Sequence, residues 1–424
     1  MSVCIMTMAI HTFPHPKATW LCVPPWGSSV CLQLTQVAMS EKTLSSMKII
    51  PATASDYNEL MSISKGIYRG VDPLPFRYHE WLADPQRKMF VAKSEGKVVG
   101  FLLFVLVDGG RTAVSDSLRV APWMRGHGIA RAMQQFCLDN LRSNHPEVSR
   151  ILFVEASETP QRELTQYQHI HSKAIISISI PYEQMEEKIK LLEGRLEGVG
   201  GRRPVVALSP SEVLCLFEDP CTTEGLLPKG LLIHSWIPYS THRSNLEMLL
   251  KRGVVWFYSQ HSDSVSECVT SPRSSDASEI CIGTNITKSS TSDYFTAQQE
   301  PFAPNPVPLP HSSSQPSPLA RTSCGFLSLG CSPFPVPLGQ GIYCFDIDLF
   351  GTDPVSAQTH VLHQLIEMQR VLPAGGGVVC YLFAEKSLRA ELTQFCQGLE
   401  PFYEVTEQHV LETESYTVIP KSLM

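Results

Sequence analysis

The stretch Thr112–Val120 alternates like a strand, breaks at Pro122, passes through Arg125-Gly126-His127-Gly128, and continues as an amphipathic helix to about Leu141. No other feature restricts the fold as much. A helix that carries the chain from one strand to another in the same sheet makes those strands parallel, and Arg150–Glu155 reads as the second of them. The strands before the junction behave differently. Lys88–Lys93, Val98–Val107 and Thr112–Val120 are separated by the turns Glu95-Gly96-Lys97 and Asp108-Gly109-Gly110, which spell an antiparallel meander. A mixed sheet follows, and it splays where the pairing changes. Ligands enter open α/β sheets near such switch points, here between Leu118 and Gly128.

The flanking pattern extends this unit. Lys48–Ala52 predicts a first strand, with Ser55 as N-cap of a helix carrying Leu60, Ile63 and Ile67. Gly70, Pro73 and Pro75 then break the chain before a second helix at Arg77–Leu82. After Glu155, a helix over Pro160–His169 and a strand over Ala174–Ile180 close the unit. Glu183–Leu196 reads as a charged linking helix. Strands at Val205–Leu208, Leu231–Tyr239 and Val254–Tyr258 follow, with short helices at Glu212–Phe217 and Asn245–Lys251. Residues 259–325 are rich in Ser, Thr and Pro and lose all apolar periodicity, as a disordered insert does. Strand Gly341–Phe350, helix Pro354–Val371, strand Gly377–Phe383, helix Ser387–Leu399 and strand Phe402–Glu412 then repeat the order that ended the first unit. The expected organisation is a disordered extension 1–46, a first domain 47–181, a diverged copy in 182–258 and 326–424, and the insert 259–325.

Charge and composition narrow the partners. With 34 Lys and Arg against 41 Asp and Glu, the net charge of -7 offers no basic field for nucleic acid or an anionic membrane. The longest purely apolar run, Phe101–Val107, is too short to span a bilayer. The first 46 residues contain no Arg, and prolines, histidines and a lysine interrupt their apolar residues, so neither a secretory nor a mitochondrial leader is expected. The 13 cysteines form no C-x-x-C pair, and several, such as Cys137 and Cys380, sit in apolar stretches. A cytoplasmic protein with reduced thiols and a small-molecule partner is the expectation.

The junction itself has chemistry. Gly126 and Gly128 permit positive-φ turns whose N–H groups converge, and the helix start adds partial positive charge, which together suit a pyrophosphate. Taken alone, Gly-x-Gly at such a place also serves as a plain tight turn. In context, Leu118-Arg119-Val120-Ala121-Pro122 followed by Arg125-x-x-Gly128-x-Ala130 resembles the acetyl-CoA signature of the GNAT superfamily. The element order over Met47–Pro181 is similar to that family's fold, an α/β mixed sheet. The resemblance implies acetyl-CoA as co-substrate, with no metal and no covalent enzyme intermediate. It implies that the amides of Arg125, Gly126, His127, Gly128, Ile129 and Ala130 hold the pyrophosphate, and that the backbone of Leu118 and Val120 lines the pantetheine. By the same resemblance Asp116 is a base for the acceptor amine, Glu155 a second candidate, and Tyr167 an acid for the departing thiolate. Each has a plainer reading: a surface strand carboxylate for Asp116, a packed helix tyrosine for Tyr167.

A narrower likeness lies in Tyr68-Arg69-Gly70-Val71-Asp72-Pro73-Leu74-Pro75-Phe76-Arg77-Tyr78-His79-Glu80-Trp81-Leu82 and in Phe345-Asp346-Ile347-Asp348-Leu349-Phe350-Gly351. These resemble the histidine N-acetyltransferase group, in which a GNAT domain precedes a second, GNAT-like region. The likeness implies acetylation of the α-amine of a small free amino acid, L-histidine foremost. Tyr68, Asp72, Arg77 and Tyr78 then fall on the acceptor side, as groups for an ammonium or imidazole and for a carboxylate, or else serve as loop scaffolding. Two other functions remain open here: acetylation of a peptide N-terminus or lysine, and acetyl-CoA binding without turnover. The insert 259–325 departs from the family's pattern. At the second strand-to-helix junction, Phe350-Gly351-Thr352-Asp353-Pro354 places an acid where a phosphate cradle would be, so one cofactor site per chain is expected.

Overall fold

Residues 47–156, 167–198, 203–260, 325–339, 341–402 and 405–413 are described in a computed structural model. The first half consists of β1 (Lys48–Pro51), α1 (Tyr57–Ile63), α2 (Leu74–Ala83), β2 (Arg87–Ser94), β3 (Lys97–Val107), β4 (Thr112–Val120), α3 (Ile129–Asn144), β5 (Arg150–Ala156) and β6 (Gln168–Ile180). The second runs through α4 (Met185–Gly198), β7 (Val206–Ala207), α5 (Pro210–Leu216), α6 (Pro220–Leu226), β8 (Leu231–His234), β9 (Ile237–Ser240), α7 (Arg243–Lys251) and β10 (Val255–Ser259). It continues with β11 (Phe326–Gly330), β12 (Phe334–Pro335), β13 (Ile342–Phe350), α8 (Pro354–Val371), β14 (Gly377–Glu385), α9 (Arg389–Phe395), β15 (Glu400–Pro401) and β16 (Glu407–Glu412).

One sheet runs through both halves in the order β1-β2-β3-β4-β5-β16-β6-β14-β13-β11-β10-β7. The polarity repeats. In the first half β1 to β4 are antiparallel neighbours, β4 and β5 are parallel, and β16 is antiparallel to β5. In the second half β7, β10, β11 and β13 are antiparallel neighbours, β13 and β14 are parallel, and β6 is antiparallel to β14. The fold is thus a GNAT-type mixed sheet followed by a diverged second copy. The last place in each copy is filled by a strand from elsewhere in the chain: β16, from the C-terminal end, lies between β5 and β6, while β6 also pairs with β14.

Packing follows the same plan. β3 is buried over ten consecutive residues, Val98–Val107, as a central strand covered on both faces should be. A Cβ on Gly100 would lie 2.6 Å from Met133 Sδ, so the absent side chain lets α3 settle closely on β3. A third apolar cluster joins Val105, Val107, Val114 and Leu152 of the first half to Val213, Leu249, Trp256 and Leu327 of the second. No helix among the described residues is long and apolar enough to cross a membrane.

Several local expectations need correction. Ser55 is not the N-cap: α1 begins from Asp56, after a 3-10 turn Ala54–Asp56 capped at Thr53, whose N–H donates to Asp56 Oδ2 at 2.7 Å. Ile67 falls in a separate 3-10 turn. Gln168 and His169 are in β6, with Tyr167 in the bend before it, so the helix expected at Pro160–His169 does not include them, and residues 160–166 lie outside the described set. The chain over Leu231–Tyr239 is a hairpin, broken at Ser235, whose φ is +54°. β11 is an element that the sequence pattern does not show, because its five residues adjoin the Ser/Pro-rich stretch, yet its pairing with β10 and β13 makes it interior. Ser259, assigned to the insert, ends β10. The extension 1–46 and residues 261–324 lie outside the described set.

Candidate active site

β4 and β5 pair only from Thr112↔Arg150 to Ser115↔Phe153. Beyond that point they continue to Val120 and Ala156 without pairing each other, which opens the edge of β4 that carries Leu118 and Val120. The opening leads to the glycine junction. Gly126 and Gly128 both have φ of +77°, and Gly128 is the N-cap of α3. His127 Nδ1 lies 2.9 Å from the carbonyl of Arg125, so that nitrogen carries the proton and the bond folds the turn. The first-turn amides of α3 have no partners within the helix. A Cβ on Gly126 would meet nothing within 4 Å, so that face of the turn is open space. Open amides at the N-terminus of a 16-residue helix, beside an exposed Arg125, fit a pyrophosphate.

Next to the β4–β5 opening is a cavity of about 280 Å³ whose wall is built by both halves. The first half gives Tyr68, Arg77, Trp81, Arg87 and Ser115–Ser117, and the ends of β5 give Val154 and Ala156. The second half gives His234–Ile237, Arg252, Phe334, Asp346 and Tyr381. Asp116 reaches the cavity through a β-bulge. Ser115 pairs with Phe104 and Ser117 with Leu103, leaving Asp116 as the extra residue, and a bulge re-aims the side chain it carries. Arg87 Nη1 donates to Asp116 Oδ2 at 3.1 Å, and the same guanidinium lies 4.5 Å from the Trp81 ring.

The loop between α1 and α2 is held open at a conformational cost. Tyr68 and Arg69 have φ of +50° and +53°, a region L-residues adopt sparingly. The second half braces it: a Cβ on Gly70 would come within 2.8 Å of Leu338 Cα, and Val71 belongs to the second half's core. Arg77, above the ring of Phe334 at 5.2 Å, pairs with Glu80 at 2.8 Å.

The residues expected on the acceptor and catalytic sides therefore divide. Tyr68, Arg77 and Asp116 are in the cavity wall. Asp72 is not: it is buried, receives both Arg119 nitrogens at 2.5 and 2.8 Å, and accepts the N–H of Leu74 at 3.0 Å at the start of α2. Burial alone would lower the Arg119 pKa, but the Asp72 carboxylate outweighs it and raises it. Tyr78 is fully buried, and its hydroxyl donates to the Thr53 carbonyl at 2.6 Å. Burial, reinforced by Asp56, pushes its phenol up to about 12. Glu155 lies between the wall residues Val154 and Ala156, so strand alternation turns it to the other face, beside His409. Tyr167 packs its ring edge-on against Phe153, with centroids 4.4 Å apart.

Sequence reasoning did not single out Asp346 or His234. Burial, then the nearby Asp348, pushes the Asp346 carboxyl up to about 6, against a hydrogen bond from Ser235, the neighbouring His234 and the Cys344 thiol, which lower it. A signal was present: two aspartates at alternate positions in the apolar strand Cys344-Phe345-Asp346-Ile347-Asp348-Leu349 are costly there without a task.

Comparison with known proteins agrees with this architecture. Residues 57–167 match the Acetyltransferase (GNAT) family, and residues 201–289 and 318–385 match the family described as Histidine N-acetyltransferase, C-terminal. The chain thus carries a GNAT acetyltransferase domain followed by a region of the histidine N-acetyltransferase C-terminal type, and it is an N-acetyltransferase. Among its relatives, Probable N-acetyltransferase 16 of Homo sapiens is 29% identical over 379 residues, which are 87% of this chain and 86% of that one. A Histidine N-acetyltransferase of Xenopus tropicalis is 28% identical over 372 residues, 87% of this chain and 95% of its own. Among solved structures, a tandem GNAT protein from the clavulanic acid biosynthesis pathway covers 87% of this chain and 99% of its own, at 14% identity and a TM-score of 0.45.

Proposed function

We propose that the protein transfers the acetyl group of acetyl-CoA to the α-amine of a small free amino acid, L-histidine foremost, in the cytosol. The observation that carries this reading is the cavity beside the β4–β5 opening, because the second half and the braced loop 67–73 together wall it. Its volume, about 280 Å³, is near the lower end of the ~300–1,000 Å³ range of ligand pockets, which favours a single amino acid over a polypeptide. The relatives named for histidine favour the same acceptor.

Acetyl-CoA supplies an acyl group activated as a thioester. In this reading the amides of Arg125–Ala130 bind its pyrophosphate, and the open edge of β4 at Leu118 and Val120 aligns the pantetheine. Asp116 receives the proton of the acceptor amine, directly or through one water, as nitrogen bonds to the acyl carbon and the C–S bond breaks. Tyr167, whose ring packs against Phe153 of β5, returns a proton to the sulfur. Arg77 takes the acceptor's carboxylate and Tyr68 packs beside it, while Asp72 and Tyr78 position that loop and α2 from behind.

The test is release of free CoA thiol by the purified protein with acetyl-CoA and a panel of free amino acids and short peptides. Turnover is expected with free histidine and not with peptides. Turnover on peptides alone, or acetyl-CoA binding without turnover on any acceptor, overturns the proposal.

A further inference from the structure

Three buried carboxylates of this protein have basic partners, Asp56 in Lys93 at 2.6 Å, Asp72 in Arg119, and Asp348 in His234 at 3.0 Å with Lys173 at 3.9 Å, and a fourth, Asp108, is held by Ser240 and Asn245. Asp346 is set apart by facing the cavity. It is 6% exposed, lies in the cavity wall, and among the described residues has no cation within 4.0 Å. Its side chain meets the Cys344 thiol at 3.9 Å and the Ser235 side chain, and its own N–H donates to Cys331 Sγ at 3.1 Å. A carboxylate desolvated in a cavity wall gains when a ligand brings a donor to it.

The surroundings are fixed in advance. Asp348 Oδ2 accepts from His234 Nδ1 at 3.0 Å and from the Ser235 N–H at 2.8 Å, and Gln408 Nε2 donates to the Ser235 carbonyl at 2.6 Å. The tip of the β8–β9 hairpin is thus fastened to β13 on one side and to β16 on the other. Trp236, at that tip, stands edge-on to Phe383 with centroids 5.6 Å apart. Tyr381 is the residue of β14 in register with Asp346. Asp346, Trp236 and Tyr381 all line the cavity, and a carboxylate bordered by two aromatic rings suits a flat ring that carries an N–H. Asp116, on its bulge beside the β4–β5 opening, is placed for the amine end of an acceptor.

We propose that Asp346, bordered by Trp236 and Tyr381, is the imidazole subsite of the acceptor, its carboxylate accepting a hydrogen bond from a ring N–H of histidine. This rests on the reading of the protein as an amino acid acetyltransferase. It assigns acceptor choice to the second half of the chain and transfer to the first.

The test compares the full-length protein with Asp346→Asn on histidine, its two ring N-methyl isomers and phenylalanine, with acetyl-CoA affinity measured separately. For Asp346→Asn, which keeps an acceptor oxygen but loses its charge, the KM for histidine should rise about 10-fold, the difference between a charged and a neutral acceptor. The KM for phenylalanine and the Kd for acetyl-CoA should hold. In the wild-type protein, which raises no question of folding, methylation of one ring nitrogen should raise KM similarly, and that rise should not add to the effect of Asp346→Asn. An unchanged histidine KM in Asp346→Asn sinks the subsite. An equal loss on histidine and phenylalanine also sinks it, by assigning Asp346 to the amine. A wild-type protein that ignores histidine but acetylates other acceptors overturns the histidine reading and this subsite with it, whereas histidine turnover indifferent to Asp346 overturns the subsite alone.

Discussion

The two halves each carry a parallel strand–helix–strand crossover, and the two junctions have diverged in opposite directions. At the first, β4 and β5 part after four paired residues, and two positive-φ glycines present the bare start of α3. At the second, β13 and β14 stay paired over seven residues, from Ile342↔Gly377 to Asp348↔Phe383. Asp353 Oδ1 accepts the N–H of Ser356 at 2.7 Å and so occupies the start of α8 itself. Gly351 is closed in as well, because a Cβ there would lie 2.5 Å from the Phe326 ring, whereas one on Gly126 meets open space. One repeated topology thus yields an open cleft when the strands part and the helix start is bare, and a solid wall when they stay zipped and the helix caps itself.

The largest expected effect breaks the open junction. Gly126→Glu adds bulk, a strained positive φ and a negative charge at the amides, and acetyl-CoA binding measured by calorimetry should vanish; retained binding would place the cofactor elsewhere. The same titration on the wild-type protein should give one acetyl-CoA per chain, and a stoichiometry of two would erase the contrast between the halves. Next comes Asp116→Asn, which should lower kcat by about 10²- to 10⁴-fold, the usual worth of a positioned general base, with acetyl-CoA affinity kept. Undiminished turnover would remove Asp116 as the base.

A third prediction contrasts the two cavity carboxylates. Asp116 has Arg87 beside it, whereas burial pushes Asp346 up to about 6 from an ordinary 3.8. Between those values the folded protein holds a proton that the unfolded chain has lost. Stability contributed at Asp346 is therefore full below about pH 4 and falls as pH rises through about 6, by on the order of 2–3 kcal/mol. Urea unfolding of wild type and Asp346→Asn at pH 4 and pH 7 isolates this as the change in their difference. A difference that does not move with pH would mean that Asp346 titrates normally.

How much of this was readable in advance depends on how local the determining contacts are. The meander, the crossover and the glycine junction come from period and spacing within a few residues, and they stand out. The placement of β16 between β5 and β6 does not, since Val410 finds Val154 from the far end of the chain. Likewise, nothing in the neighbourhood of Asp72 foretells that Arg119 will claim it. Asp116 was found from its place before Leu118, but the bulge that aims it exists only relative to β3. For Glu155, alternation says that it opposes Val154 and Ala156, yet only the position of the cavity says which face is which. For Asp346 the strand pattern shows burial but not setting, because the wall that it enters is completed by Ser235 and Trp236 of the distant β8–β9 hairpin.

The smallest expected effect concerns the closed junction, and it separates capping from cofactor binding. Asp353 fills the place at the start of α8 that a phosphate would need, so it has to be structural if the two junctions have diverged as described. Asp353→Ala loses the bond to the Ser356 N–H and should destabilise the protein by about 1 kcal/mol, the usual worth of an N-cap, as read from a shift in the denaturant midpoint at constant slope. It should leave acetyl-CoA affinity and stoichiometry as they were. Were the variant instead to bind a second acetyl-CoA, the self-capping aspartate alone would have been closing the second junction, and the seven zipped pairs of β13 and β14 would not be the barrier that the contrast with β4 and β5 makes them.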